Sequence, residues 1–128
     1  MGMYTELVIS TRVKDDPGAI EILKFMTGRG ELPPTLPEHP LFTTARWKFM
    51  LTCSSYYFVP RSMTRFEFDD IGKYWCFISR SDFKNYDDEV AKFVDWLRPY
   101  LPDRDEMIGY YRYEEADEPT IIYGTEKT

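Results

Sequence analysis

Residues 3–28 read MYTELVISTRVKDDPGAIEILKFMTG, and this stretch decides the fold. Its first half alternates. Leu7, Ile9 and Thr11 fall on one side, with Glu6, Val8, Ser10 and Arg12 on the other. A period of two marks a strand with one buried face, here over residues 3–14. Asp16 then precedes Pro17, an N-cap carboxylate followed by a residue whose missing N–H costs nothing at the first helical position. Ile20, Ile22, Leu23, Phe25 and Met26 supply an apolar helical stripe, and Gly28 stops it. The chain thus opens as strand, cap, helix, stop.

Outward from this unit, residues 28–40 hold four prolines and two glycines, which predicts an irregular loop in place of another helix. Residues 45–59 carry the strongest strand pattern. Ala45, Trp47, Phe49, Leu51 and Cys53 share one face, and Arg46, Lys48, Met50 and Thr52 the other, with Pro60 as the stop. Residues 64–68 and 73–80 predict two more strands joined by Asp69-Asp70-Ile71-Gly72, with Gly72 supplying a positive φ. Asp87, Asp88 and Glu89 set carboxylates at the positive end of a second helix. Val90, Phe93, Val94, Leu97 and Leu101 form its buried stripe, and Arg98-Pro99 closes it. A strand is expected at 107–114, the short apolar run 120–123 is a candidate for one more, and 124–128 is a frayed tail.

The order β-α-β-β-β-α-β, with that short strand added, predicts an α+β fold. Its antiparallel sheet of four to six strands packs two helices on one face. A ferredoxin-like variant of the split βαβ arrangement is the nearest named architecture. At 128 residues the chain is one domain's worth, 1–128. Its 22 aromatic residues, 17% of the chain, exclude disorder, and no apolar run reaches the ~18 residues of a membrane span.

Cysteine usage points to a reducing, cytoplasmic setting. Cys53 and Cys76 form no CxxC, and no secretory leader opens the sequence, so they read as small buried hydrophobes, with a cross-strand disulfide as the alternative. Neither a metal nor a cofactor is expected. His39, the one histidine, stands between Glu38 and Pro40 without ligand-like neighbours. Nucleophilic catalysis needs a histidine beside its nucleophile, and none is indicated. Thr27-Gly28-Arg29-Gly30 lies at the wrong end of a helix for a phosphate. The pairs Asp69-Asp70 and Asp87-Asp88 fit a turn and a helix start, so an enzyme using carboxylates is the weakest alternative, and no catalytic residue is assigned.

Charge is uneven. Residues 39–66 hold four cations and no carboxylate, whereas residues 87–118 hold eleven carboxylates against four cations, on a chain of net −6. If helices cover one sheet face, the other is expected to carry Arg46, Lys48, Tyr56, Arg65, Trp75, Tyr110 and Arg112. Tyr and Arg are enriched at protein interfaces, which predicts a non-enzymatic protein binding a host protein or a second copy of itself. Alternatively Arg46, Lys48, Arg65 and Arg112 meet phosphate while Tyr56, Trp75 or Tyr110 stacks on a base, so that the protein sequesters a nucleotide-like small molecule. Nucleic acid is disfavoured by an isoelectric point near 4.8, and no membrane partner is expected.

The C-terminal stretch IGYYRYEE (108–115) followed by EPTIIY (118–123) is similar to the ends of small phage and prophage accessory proteins. The resemblance covers about an eighth of the chain and carries no catalytic motif. It implies a setting of host-factor binding or defence-signal sequestration, and assigns no residue a role.

Overall fold

A computed structural model describes residues 4–54, 62–102 and 106–125. Its strands are β1 (Thr5–Lys14), β2 (Met63–Asp69), β3 (Tyr74–Phe83), β4 (Met107–Tyr113) and β5 (Thr120–Tyr123); its helices are α1 (Pro17–Met26) and α2 (Glu89–Leu97). They form one sheet in the order β2-β3-β1-β4-β5, antiparallel at every pairing. The first four strands and two helices have the connectivity of the split βαβ sandwich, extended by β5. The expected α+β class is the observed one. Among the described residues no helix is long and apolar enough to cross a membrane.

Local chemistry explains the elements. Asp16 caps α1 by accepting the Ala19 N–H at 3.0 Å, with Pro17 at the first turn, and Gly28 leaves the helix at φ 79°. At the start of α2 the cap residue Asp88 is left-handed (φ 59°) and its side chain makes no capping bond. Asn85 Oδ1 instead accepts the Val90 N–H at 3.0 Å, and buried Glu89 accepts the Asp87 N–H at 3.0 Å. In the β2–β3 turn the positive φ falls on Lys73 (58°), contrary to the expectation for Gly72. Gly72 is needed for space, because a Cβ there would lie 2.1 Å from the Tyr74 ring. Asp69 Oδ1 organises that turn by accepting from Ile71 N and Gly72 N. The pairing of β4 and β5 shifts register between Met107 and Gly109, where a Cβ on Gly109 would stand 1.9 Å from the Val8 carbonyl oxygen of β1.

The core lies between the sheet and the helices. Leu7, Ile9 and Val13 of β1 and Phe77 and Phe83 of β3 meet Ile20, Leu23 and Met26 of α1 and Val90, Phe93 and Leu97 of α2.

Residues 45–54 depart from expectation: they form turns, not a strand, and residues 55–59 of the same expected strand lie outside the described residues. The bonds Phe49 N to Arg46 O and Thr52 N to Phe49 O close four-residue turns. Trp47, Met50 and Leu51 are buried while Phe49 is exposed. That is an i, i+3, i+4 pattern, so helical-type spacing decided burial and the alternating pattern was incidental. Trp47 packs on Phe25 of α1 (5.7 Å) and on Phe42 (4.9 Å), which reaches Trp96 of α2 (5.8 Å). The segment therefore bridges the two helices.

The proline-rich loop before it is pinned twice. Arg29 donates to the Phe66 and Thr64 carbonyls of edge strand β2 at 2.7 and 3.2 Å. His39 bonds Asp95 of α2 through Nε2 at 2.9 Å and accepts the Leu41 N–H on Nδ1 at 3.0 Å, which fixes its tautomer as Nε2–H.

Candidate functional site

Strand alternation gives the sheet a second face, and no described element packs over it. Register sets its side chains in rows across the strands. One row runs Met63, Arg80, Val8, Tyr110, Ile121 through all five strands. Toward the start of β1 the next row is Asp82, Glu6, Arg112, and on the other side lies Arg65, Ile78, Ser10.

The charged end holds a paired ion network. Arg80 places Nε and Nη2 on Glu6 Oε2 at 3.1 and 3.0 Å and Nη1 on Asp82 Oδ1 at 2.7 Å, while Arg112 reaches Glu6 Oε1 at 3.3 Å. Glu6, Arg80 and Asp82 are all buried, and Asp82 Oδ2 has no hydrogen-bond partner. Buried charges of this kind survive only as mutually paired sets.

The apolar end differs. Ile78 is 47% exposed and Met63 61%, although both stand on regular strands. Val8, Met63, Arg65, Ile78 and Arg80 line a groove of about 300 Å³. A second groove of about 290 Å³ lies beside it, lined by Ser10, Arg12, Cys76, Ile78, Met107 and Ile108. The two share Ile78.

Of the expected site residues, Arg65, Tyr110 and Arg112 stand on this face. Arg65 pairs with Glu67 two residues on, at 3.1 Å, and that hydrogen-bonded carboxylate holds its pKa raised. Arg46 and Lys48 do not join them, because the strand that would have carried them there does not form. Arg46 instead lies over the Tyr86 ring at 5.1 Å and 3.7 Å from buried Glu89, while Lys48 is exposed on the turn segment. Trp75 is on the helix side. It stacks on Phe66 at 4.7 Å, donates to Asp15 at 3.0 Å and lies under the Lys24 ammonium at 5.0 Å. Its odd number puts it with Phe77, so strand parity excludes it from the open face. Tyr56 lies outside the described residues. Tyr111 and Tyr113 pair with Leu7 and Thr5 on the helix side.

The cations expected to meet phosphate are therefore dispersed. Neither groove of the open face gathers two of them beside an aromatic ring. Both cysteines are free; burial, and behind it Asp82, pushes the Cys53 thiol up and keeps it protonated. Among the described residues no group of three His, Cys, Asp or Glu side chains is placed to hold a metal.

Sequence patterning missed Glu6, Arg80 and Asp82. Arg80-Ser81-Asp82 carries its charges at a spacing of two, a sign of one shared face, but pairing them with Glu6 requires the β1–β3 register. Ile78 and Met63 were missed for the opposite reason, since apolar residues in strands are assigned to the core by default.

Compared with known proteins, the chain matches no family model, no curated protein and no solved structure.

Proposed function

We propose that this chain is a non-enzymatic binding protein whose open sheet face pairs with a second copy of itself. The observation that carries this reading is the exposure of Ile78 and Met63 on regular strands of a face that no described element covers.

Charge favours a copy as the occupant. The strand residues of this face include five cations (Arg12, Lys14, Arg65, Arg80, Arg112) and four carboxylates (Glu6, Glu67, Asp69, Asp82), a balance of +1 on a chain of net −6. Two such faces meet without the repulsion the rest of the surface would impose. Strands of ten, seven, ten, seven and four residues at about 3.3 Å per residue, about 4.8 Å apart, give a face of roughly 600 Å². That is the scale of a small interface, below the ~800 Å² per partner of a standard one. At the β2 edge lateral pairing is obstructed, because Arg29 occupies the Phe66 and Thr64 carbonyls that a pairing strand would need.

A face-to-face dimer of this kind would suit the host-interaction setting that the phage-protein resemblance implies. Light scattering over a concentration series tests the pairing. The expected mass is twice 15.3 kDa, falling to the monomer in Ile78→Glu with the far-UV circular dichroism of the folded chain retained. A monomer at every concentration would refute pairing with a copy and leave the face to a different protein. A dimer indifferent to Ile78→Glu would refute the face.

A further inference from the structure

On the opposite side of the sheet, where β1 and β4 pass the entry to α2, the structure forms a cavity of about 370 Å³. Its lining is Thr5, Asn85, Tyr86, Tyr111 and Tyr113, three phenol rings with no cationic side chain among them. Two of the rings are open to solvent, Tyr86 at 56% and Tyr113 at 36%. Asn85 has its Oδ1 committed to the Val90 N–H, so the rings dominate what a guest would meet. We propose that this tyrosine-lined cavity binds an organic cation of the quaternary or methylated ammonium class.

Three features set the sign of the guest. Aromatic faces attract cations through their quadrupole, and several rings around one space are the recurring way to hold an alkylammonium group that cannot donate hydrogen bonds. The Tyr86 ring already carries the Arg46 guanidinium at 5.1 Å, so it is oriented for this contact. The surrounding charge is acidic. Glu115 and Glu114 follow Tyr113 directly, and with burial they push its phenol up, so their field reaches the ring.

Of the cations nearby, Arg46 is held 3.7 Å from Glu89, Lys92 donates to the Asp87 carbonyl at 2.7 Å and Lys84 lies 6.0 Å from the Tyr4 ring; none of the three is in the lining. An anion has no cation in the lining to meet. A volume at the small end of ligand sites suits a headgroup or a single side chain better than a nucleotide.

Choline and a trimethyllysine peptide carry the same group as a free molecule and as a protein side chain. The neutral isostere 3,3-dimethylbutanol has the shape without the charge. Titration followed by calorimetry and by tyrosine ring NMR shifts is expected to show saturable binding of at least one cation, about tenfold tighter than the isostere. Tyr86→Ala and Tyr113→Ala are expected to weaken binding by about tenfold while Tyr86→Phe retains it, since the ring face and not the hydroxyl is used. Tighter binding of the peptide assigns a protein partner, and tighter binding of choline a free small molecule. Equal binding of the isostere, or no saturation by either cation at millimolar concentration, would overturn the proposal. Ile78→Glu should leave the affinity unchanged, which separates this site from the open face.

Discussion

Neighbouring residues on β3 meet opposite environments. Phe77 is fully buried against Phe66 and Phe93, while Ile78, one residue on, is half exposed among Arg65, Ser10 and Met63. The helix-covered face is closed by interlocking aromatic rings and the plug of residues 40–52. The open face has an ion network at one end and uncovered apolar side chains at the other. Large apolar groups are thus concentrated where they stabilise the fold on one side, and left available for contact on the other.

The largest effect expected from breaking this contrast is on the covered side. Phe77→Ala should cost about 3–5 kcal/mol, because it opens a cavity among packed rings that cannot collapse. In the monomer, Ile78→Ala should cost well under about 1 kcal/mol, since half the side chain is already in water. Urea unfolding of the two variants reads the difference, and equal losses would mean that the two faces are not distinct.

Next comes the ion network. Arg80→Met leaves Glu6 and Asp82 buried without their shared cation, and a loss of about 3 kcal/mol is expected. Stability close to wild type would show that water reaches these carboxylates.

A smaller effect belongs to the sheet edge. Arg29→Ala removes two bonds to β2 carbonyls and should cost about 1 kcal/mol. It also frees that edge for pairing, so greater aggregation on heating is expected. Unchanged heating behaviour would mean that the edge has other protection.

The smallest effect is at the turn beyond the open face. The backbone N–H groups of Gly72 and Ile71 hold the Asp69 carboxyl below its ordinary range. A carboxyl depressed in the folded state contributes stability above its unfolded pKa of about 4, and that contribution is lost as pH falls through the folded value. Asp69→Asn should flatten the acid limb of the stability profile in this window and leave neutral-pH behaviour nearly unchanged. An acid limb identical to wild type would contradict the turn's role.

Much of the fold was legible in the sequence because its signals were local. Asp16-Pro17 placed the start of α1, the Val90 to Leu101 stripe placed the buried face of α2, and the apolar run 120–123, a candidate for a final strand, is β5. The stretch 45–54 was not, because Trp47, Met50 and Leu51 satisfy helical spacing while Trp47, Phe49 and Leu51 satisfy alternation. Only the slot between α1 and α2 selects between these patterns. Half of the candidate site was legible on the same grounds. Alternation within β4 put Tyr110 and Arg112 together and separated them from Tyr111 and Tyr113. Arg46 and Lys48 fell with the strand that was to carry them. The Glu6–Arg80–Asp82 network depends on pairing residues more than seventy positions apart, which no local pattern encodes.

The most direct test of the paired open face is an isotope-filtered NMR experiment on a mixed sample, half of it methyl-labelled at Ile, Val and Met. Contacts are expected between the labelled methyls of Ile78, Met63 and Val8 and protons of an unlabelled copy. A dimer by mass whose intermolecular contacts arise only from other surfaces would contradict the account.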